Sequence, residues 1–122
     1  MPFMRTVLKV AMGIGHSAFV TMQHQLFTAG SNQHGQLGLG CINMSQAGYP
    51  TLVTSLSQHH VIDVCCGDSH TLALTKSKAL FVFGSNEQGQ LGLQNCLFSD
   101  EPKRCLASVD AIFAGGDQSF AV

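Results

Sequence analysis

Slid along itself by 54 positions, the sequence falls into register: residues 10–39 lie over residues 64–93 without a gap, and 14 of the 30 pairs are identical. Val10, Gly13, His16, Thr21, Leu26, Phe27, Gly30, Ser31, Asn32, Gly35, Gln36, Leu37, Gly38 and Leu39 each meet their own residue type. A third copy opens at Ile112, where residues 112–122 follow residues 64–74 at an offset of 48, with Gln118 in the place of His16 and His70. A chain that repeats at this period builds units that cannot bury their apolar faces alone and must stack on their neighbours.

Within each unit the pattern is β. Short runs rich in Val, Leu, Phe and Thr are bounded by glycines, and no helical period is sustained. The spacing predicts strands at residues 61–66, 71–75 and 80–84, with matching strands at 7–12, 17–21 and 26–30 and a fourth, outer strand near 50–56. Three or four short antiparallel strands per unit describe a propeller blade. The expected fold is therefore all-β, an incomplete β-propeller of two blades and the start of a third, divided at 1–56, 57–108 and 109–122.

The segments Gly30-Ser31-Asn32-Gln33-His34-Gly35-Gln36-Leu37-Gly38-Leu39 and Gly84-Ser85-Asn86-Glu87-Gln88-Gly89-Gln90-Leu91-Gly92-Leu93 resemble the signature of the regulator of chromosome condensation repeats. The run Cys66-Gly67-Asp68-Ser69-His70-Thr71-Leu72-Ala73-Leu74-Thr75 resembles the other half of that signature. Other propeller classes fit worse, since the chain has no Trp. In such a motif Gly30, Gly35, Gly38 and their counterparts Gly84, Gly89, Gly92 would permit sharp turns or close backbone approach. Asn32 and Asn86 are expected to bond the backbone two residues on, and Gln36 and Gln90 to satisfy amides between blades. Leu37, Leu39, Leu91 and Leu93 would cover the adjoining blade, each burial worth about 1.5–3 kcal/mol.

Composition and motifs speak against most chemistry. Six Lys and Arg against seven Asp and Glu leave a net charge of −1, with no basic stripe to offset phosphates, so direct nucleic-acid binding is not expected. No secretory signal and no membrane span is read in the sequence. The residues from Gly84 to Gly89 have the glycine spacing of a P-loop, but Gln90 and Leu91 stand where a Lys and a hydroxyl residue are needed; Gln36 and Leu37 fail in the same way. His16 and His70 recur at equivalent places, which fits a turn-stabilising hydrogen bond made in every blade better than an active site made once. Gln118 supports this, because an amide replaces imidazole as a hydrogen-bonding group but not as a proton shuttle. His59 and His60 lie in a linker near Asp63 without an evident set of four metal ligands. Asp68 and Ser69 beside His70 have the residue types of a hydrolytic triad, but sequence neighbours rarely converge on one reacting atom.

Cys41, Cys65, Cys66, Cys96 and Cys105 form no C-x-x-C pair, which fits reduced thiols in packing roles; on a strand Cys65 and Cys66 point to opposite faces. No catalytic, cofactor-binding or metal site is assigned, and no cofactor is expected.

The resemblance implies a ring of about seven blades, roughly 380 residues at this period. The chain is thus expected to be a truncated product or part of a longer protein, exposing blade faces through which it self-associates. It also implies a non-enzymatic protein-binding module, as in the propellers of ubiquitin ligases that carry a separate HECT domain. Gly115-Gly116-Asp117-Gln118-Ser119-Phe120 resembles the last propeller unit of those ligases. The alternatives are guanine-nucleotide exchange on a small GTPase, as the founding member performs on Ran, and an inactive structural fragment. The expected partner is a ubiquitin-pathway client or a small GTPase, met through loop tips at residues 41–49 and 94–104, in the cytoplasm or nucleus.

Overall fold

The computed structural model describes residues 6–40, 46–86, 91, 98–106, 108–116 and 118–122. The first unit is an antiparallel sheet of β1 (Val7–Met12), β2 (His16–Thr21), β3 (Leu26–Ser31) and β4 (Gln46–Leu52), in chain order. The second repeats it with β5 (Val61–Cys66), β6 (His70–Thr75), β7 (Leu80–Ser85) and β8 (Phe98–Leu106), and β9 (Ile112–Gly115) pairs with β10 (Gln118–Ala121) to open a third. These are two propeller blades and the first strands of another, as the repeat predicts.

The outer strands depart from the sequence reading. The strand expected at 50–56 runs over Gln46–Leu52, and Thr54–Leu56 is a single 3-10 turn. The reason is register: β4 follows β3 from Ser31↔Gln46 to Phe27↔Leu52, and Val53 N–H then donates to Leu26 O at 2.9 Å. The turn beyond it carries Leu56 back into the core. Most of the segment expected as a second loop tip, 94–104, is likewise β8 where the structure describes it. Pro50 and Pro102 each lie on the outermost strand of their sheet, where proline's missing N–H is tolerated.

Side-chain alternation along the strands gives each unit two apolar faces. We call the face toward the preceding unit the front and the face toward the following unit the rear. Ala18, Val20 and Leu26 on the rear of unit 1 pack with Val64, Cys66, Ala73, Phe81 and Phe83 on the front of unit 2, together with Val53, Leu56 and Val61. Leu72, Leu74, Leu80 and Val82 on the rear of unit 2 pack with Leu91, Val109 and Ile112. Cys66 and Cys65 divide between these two cores, as neighbours on a strand must.

The units are also tied through their turns. His24 and Lys78 occupy the same place in successive units, both with a left-handed backbone, φ 61° and 68°. The carbonyl of each accepts an N–H from the next unit, Val61 N at 3.1 Å and Val109 N at 2.9 Å. Thus the second strand of a unit is fixed to its neighbour at the turn end, while the core fixes its middle.

Phe83 is fully buried at the first junction, against the loop that carries Gly38. Phe83→Ala is expected to destabilise the chain by about 3–5 kcal/mol in a denaturant titration, since it removes the largest fully buried side chain of the front of unit 2.

Candidate functional site: the junction between units

The repeated histidine begins the second strand of its unit, three residues after a glycine. His16 Nε2 lies 3.0 Å from Thr71 Oγ1 in the next unit, and the Thr71 hydroxyl lies 2.8 Å from Gln36 O. A hydroxyl has one proton, and Gln36 O can only accept, so Thr71 donates to Gln36 and accepts from His16. The geometry therefore assigns the Nε2–H tautomer to His16. His70 Nε2 lies 2.8 Å from Ser119 Oγ, repeating the arrangement between units 2 and 3. Thr71 and Ser119 are equivalent residues, each following the histidine position of its own unit.

Two backbone bonds run beside these. Ile14 N–H donates to Asp68 O at 3.4 Å, and Asp68 N–H donates to Gly116 O at 2.8 Å. Gly13 and Gly67 supply the room. A Cβ on Gly13 would stand 2.7 Å from His16 Nδ1 and clash with Gly67 O, and one on Gly67 would stand 2.7 Å from Gly116 O and clash with the His70 ring. The glycine three residues before the histidine is a seat for the imidazole. The expected turn-stabilising bond is in fact a bond between units.

The glycine-rich loop after β3 completes the junction. Asn32 Oδ1 accepts from Leu37 N–H at 3.1 Å, and Asn86 Oδ1 from Leu91 N–H at 2.9 Å. Both reach five residues along the chain, where the buried carboxamide closes the loop from within. The Gln36 side chain does not bridge blades: its Oε1 accepts from His34 N–H at 2.8 Å, and only its backbone carbonyl takes the Thr71 hydroxyl. Gln90 and Leu93 lie outside the described residues. Leu37 and Leu91 are buried and Leu39 packs against the first core. Gly38 has φ 67°, and a Cβ there would stand 2.8 Å from the Phe83 ring. Gly40 N–H donates to Asp100 O at 2.8 Å, which fastens the loop to β8.

The electrostatics suit structure rather than proton transfer. Burial strips water from His16 and lowers its pKa to about 4, so the ring is neutral near pH 7. His70 Nε2 is engaged by Ser119, while Asp68 and Ser69 use backbone atoms, Ser69 O accepting Ser85 N–H at 2.8 Å. Burial likewise pushes the Cys66 thiol up to about 12 and raises Cys65 and Cys105. The Cys65 and Cys105 thiols lie 3.3 and 3.4 Å from the carbonyls of Ile112 and Leu91, to which they donate. Cys41 and Cys96 lie outside the described residues.

His59 and His60 part company: His60 stacks on His24 with ring centres 3.7 Å apart, and His59 tilts against Phe81 at 4.7 Å. Asp63 meets Lys9 at 3.2 Å and accepts from Val64 N–H. Among the described residues no three His, Cys, Asp or Glu gather as a metal would require. The sequence reading had no partner for the histidines. A signal was available, since a hydroxyl residue follows the histidine position in all three copies, at Ser17, Thr71 and Ser119.

The family model of the regulator of chromosome condensation (RCC1) repeat matches residues 23–74 and 79–122. The chain belongs to the RCC1 repeat family. Curated relatives include human Protein RCC2, 42% identical over 80 residues, which are 66% of this chain and 15% of RCC2. The human probable E3 ubiquitin-protein ligase HERC4 is 36% identical over 111 residues, 91% of this chain and 10% of HERC4. A Dictyostelium discoideum bifunctional serine/threonine-protein kinase/NEDD4-like E3 ubiquitin-protein ligase is 42% identical over 87 residues, 71% of this chain and 5% of that protein. The chain thus spans 5 to 15% of the length of these relatives. Among solved structures, Prp20p of Saccharomyces cerevisiae aligns with a TM-score of 0.88 at 17% identity, over 99% of this chain and 32% of that one. Human WBSCR16 aligns at 0.82 with 27% identity, over 95% of this chain and 30% of that one. These likenesses establish an RCC1-type propeller segment.

Two outcomes follow from the junction. Thr71→Val leaves a buried N–H and a buried carbonyl without their hydroxyl, and is expected to cost about 1–3 kcal/mol by chemical denaturation. Lowering the pH acts on the same bond. The folded pKa of His16, about 4, lies below the ordinary 6.5. The unfolded chain therefore takes up a proton first, and stability present above pH 6.5 is lost as the pH falls toward 4, about 3 kcal/mol in all. Denaturation midpoints measured from pH 7 to pH 4 should fall in the native chain and flatten in His16→Gln, which keeps a hydrogen-bonding group without the titration.

Proposed function

We propose that the chain is a protein-interaction module within a larger regulatory protein of the HECT ubiquitin-ligase kind, and that it contributes recognition rather than chemistry. The observation that carries this reading is the use of the repeat's polar signature. His16, His70, Asn32, Asn86 and Thr71 are all buried in bonds that close a loop or join one unit to the next. Groups buried in units 1 and 2 to hold each to its neighbour are withdrawn from solvent, so recognition falls to side chains outside the repeat pattern. Tyr49, 70% exposed on β4, and Lys103 and Arg104, exposed on β8, offer an aromatic anchor and positive charge at the outer strands.

The likeness to HERC4 over 91% of the chain supports a ubiquitin-pathway client as the partner. The likeness to Prp20p, a protein that binds Gsp1p and histones, supports a second reading, exchange on a small GTPase, through the fold alone. Free, protonated Cys65, Cys66 and Cys105 suit a reducing compartment, cytoplasm or nucleus.

The immobilised chain is expected to retain ubiquitin-pathway proteins, and Tyr49→Ala together with Arg104→Ala to lower the amount retained by at least about fivefold, as the loss of anchor residues does. A panel of small GTPases loaded with fluorescent nucleotide should show unchanged release in its presence. Accelerated release, with no ubiquitin-pathway protein retained, would replace the first reading by the second.

A further inference from the structure

The turn after the second strand has the same backbone in units 1 and 2 but different side-chain chemistry. In unit 2 the turn residue Lys78 meets a counter-charge from the next unit, Asp110 Oδ1 at 2.8 Å. Asp110 comes one residue after Val109, whose N–H is bonded to Lys78 O. In unit 1 the turn residue is His24, its carbonyl bonded to Val61 N–H, and the place of Asp110 is held by Ile62, 41% exposed. A basic turn residue thus has a carboxylate supplied to it at the second junction and an aliphatic side chain in that place at the first.

At the first junction a second imidazole joins the turn residue. The rings of His60 and His24 stack with their planes 25° from parallel. The His60 carbonyl accepts from Lys76 N–H at 2.7 Å, which brings a third basic residue, on the turn of unit 2, beside the pair. His24 Nδ1 lies 3.2 Å from Val61 O, which can only accept, so the neutral ring carries its proton on Nδ1 and leaves Nε2 bare. Protonation therefore adds an N–H donor at Nε2 and leaves the bond to Val61 in place. Protonating His60 as well sets like charges face to face. Partial desolvation, then the nearby His24 and Lys76, lower the His60 pKa from the ordinary 6.5.

The two rings, with His59, Ser57, Gln23 and Gln58, border an open pocket of about 160 Å³. Each of these side chains carries or can gain an N–H or O–H donor, and among the described residues no carboxylate lines the pocket. The nearest acid in the sequence, Asp63, is held by Lys9 at 3.2 Å.

We propose that this pocket binds a phosphate group, which brings to the first junction the counter-charge that Asp110 provides at the second. The protonated rings of His24 and His60 neutralise it, and the hydroxyl and carboxamides beside them donate to its remaining oxygens. A phosphate suits the site better than a carboxylate, since it offers more acceptor oxygens and more charge to a pocket with several donors. Binding favours the protonated rings, so by linkage it raises the His60 pKa and strengthens as the pH falls through the imidazole range. Tyr49, Lys103 and Arg104 do not line the pocket, so the site does not rest on the reading of the outer strands.

Imidazole nitrogen NMR of the full chain, titrated from pH 8 to pH 5.5 in inorganic phosphate and in chloride of equal ionic strength, tests the proposal. The His60 midpoint should rise by about half a unit or more in phosphate, while the buried His16 ring responds alike in both salts. Inorganic phosphate should bind about fivefold or more tightly at pH 6 than at pH 8. His60→Gln removes one charge and Ile62→Asp supplies a carboxylate in the place of Asp110; each, shown to be folded by circular dichroism, should weaken phosphate binding at pH 6 by about fivefold or more. O-phosphoserine run beside inorganic phosphate separates two sources of the same chemistry: tighter binding of phosphoserine assigns a phosphorylated side chain of a partner, and equal or weaker binding assigns the free ion. Equal His60 midpoints in phosphate and chloride overturn the proposal. So does a phosphate response shared by His16, or a folded variant of either kind that binds phosphate as the native chain does.

Discussion

A neutral imidazole, held against a glycine and donating to a hydroxyl of the next unit, is the contact on which the rest of the structure turns. Its components constrain one another. The ring comes close to the backbone because Gly13 and Gly67 have no Cβ to collide with it. That closeness excludes water, lowers the pKa of His16 and keeps the ring uncharged. An uncharged ring with Nε2–H pointing across the junction needs an acceptor, and the Thr71 hydroxyl serves because its own proton goes to Gln36 O. The glycine, the histidine and the following hydroxyl residue are thus a single device distributed over two units, and none of the three is sufficient alone.

Because the device joins neighbours, cohesion in this chain is a nearest-neighbour property. Each unit contributes one β-sheet, and little of that sheet's apolar surface is satisfied within the sheet itself. Phe81 and Phe83 turn forward to unit 1, while Leu80 and Val82 turn back toward unit 3, although all four lie on β7. The glycine-rich loop strengthens this coupling, since the backbone of unit 1 at Gly38 and Gly40 touches Phe83 and Asp100 of unit 2. A turn at one end of the sheet, a loop at the other and a core between them fix the first junction at three separated places.

The repeat, the inner strands and the antiparallel blade were legible in the sequence because identical residues at a constant offset can only mean identical local structure. The expected strand from Thr71 began one residue late, since His70 itself pairs with Gly84. The outer strands were less legible. The strand expected from Pro50 begins four residues earlier, at Gln46, and Pro102 with the polar run of residues 99–104 read as loop, yet an outermost strand needs neither a full set of N–H donors nor two apolar faces. The inter-unit role of the histidines was illegible for another reason. Sequence spacing reports contacts within a turn or a strand, whereas His16 and Thr71 are 55 residues apart. Asn32 shows the same limit on a smaller scale: its buried carboxamide closes the loop five residues along, at Leu37 N–H.

The third unit shows what this device permits to vary. Gln118 replaces the histidine, and Gly115 beneath it has no side chain or backbone within 4 Å of its would-be Cβ, unlike Gly13 and Gly67. A carboxamide preserves an N–H donor of the kind a hydroxyl accepts. It carries no titrating group and no ring to desolvate. The His16 junction loses strength in acid because its ring must remain neutral, whereas a carboxamide has no such proton to gain. Substitution at this one position therefore exchanges a titrating donor for one that does not titrate, which is how a repeated fold can vary its units while keeping a hydrogen-bonding group at the place where they stack.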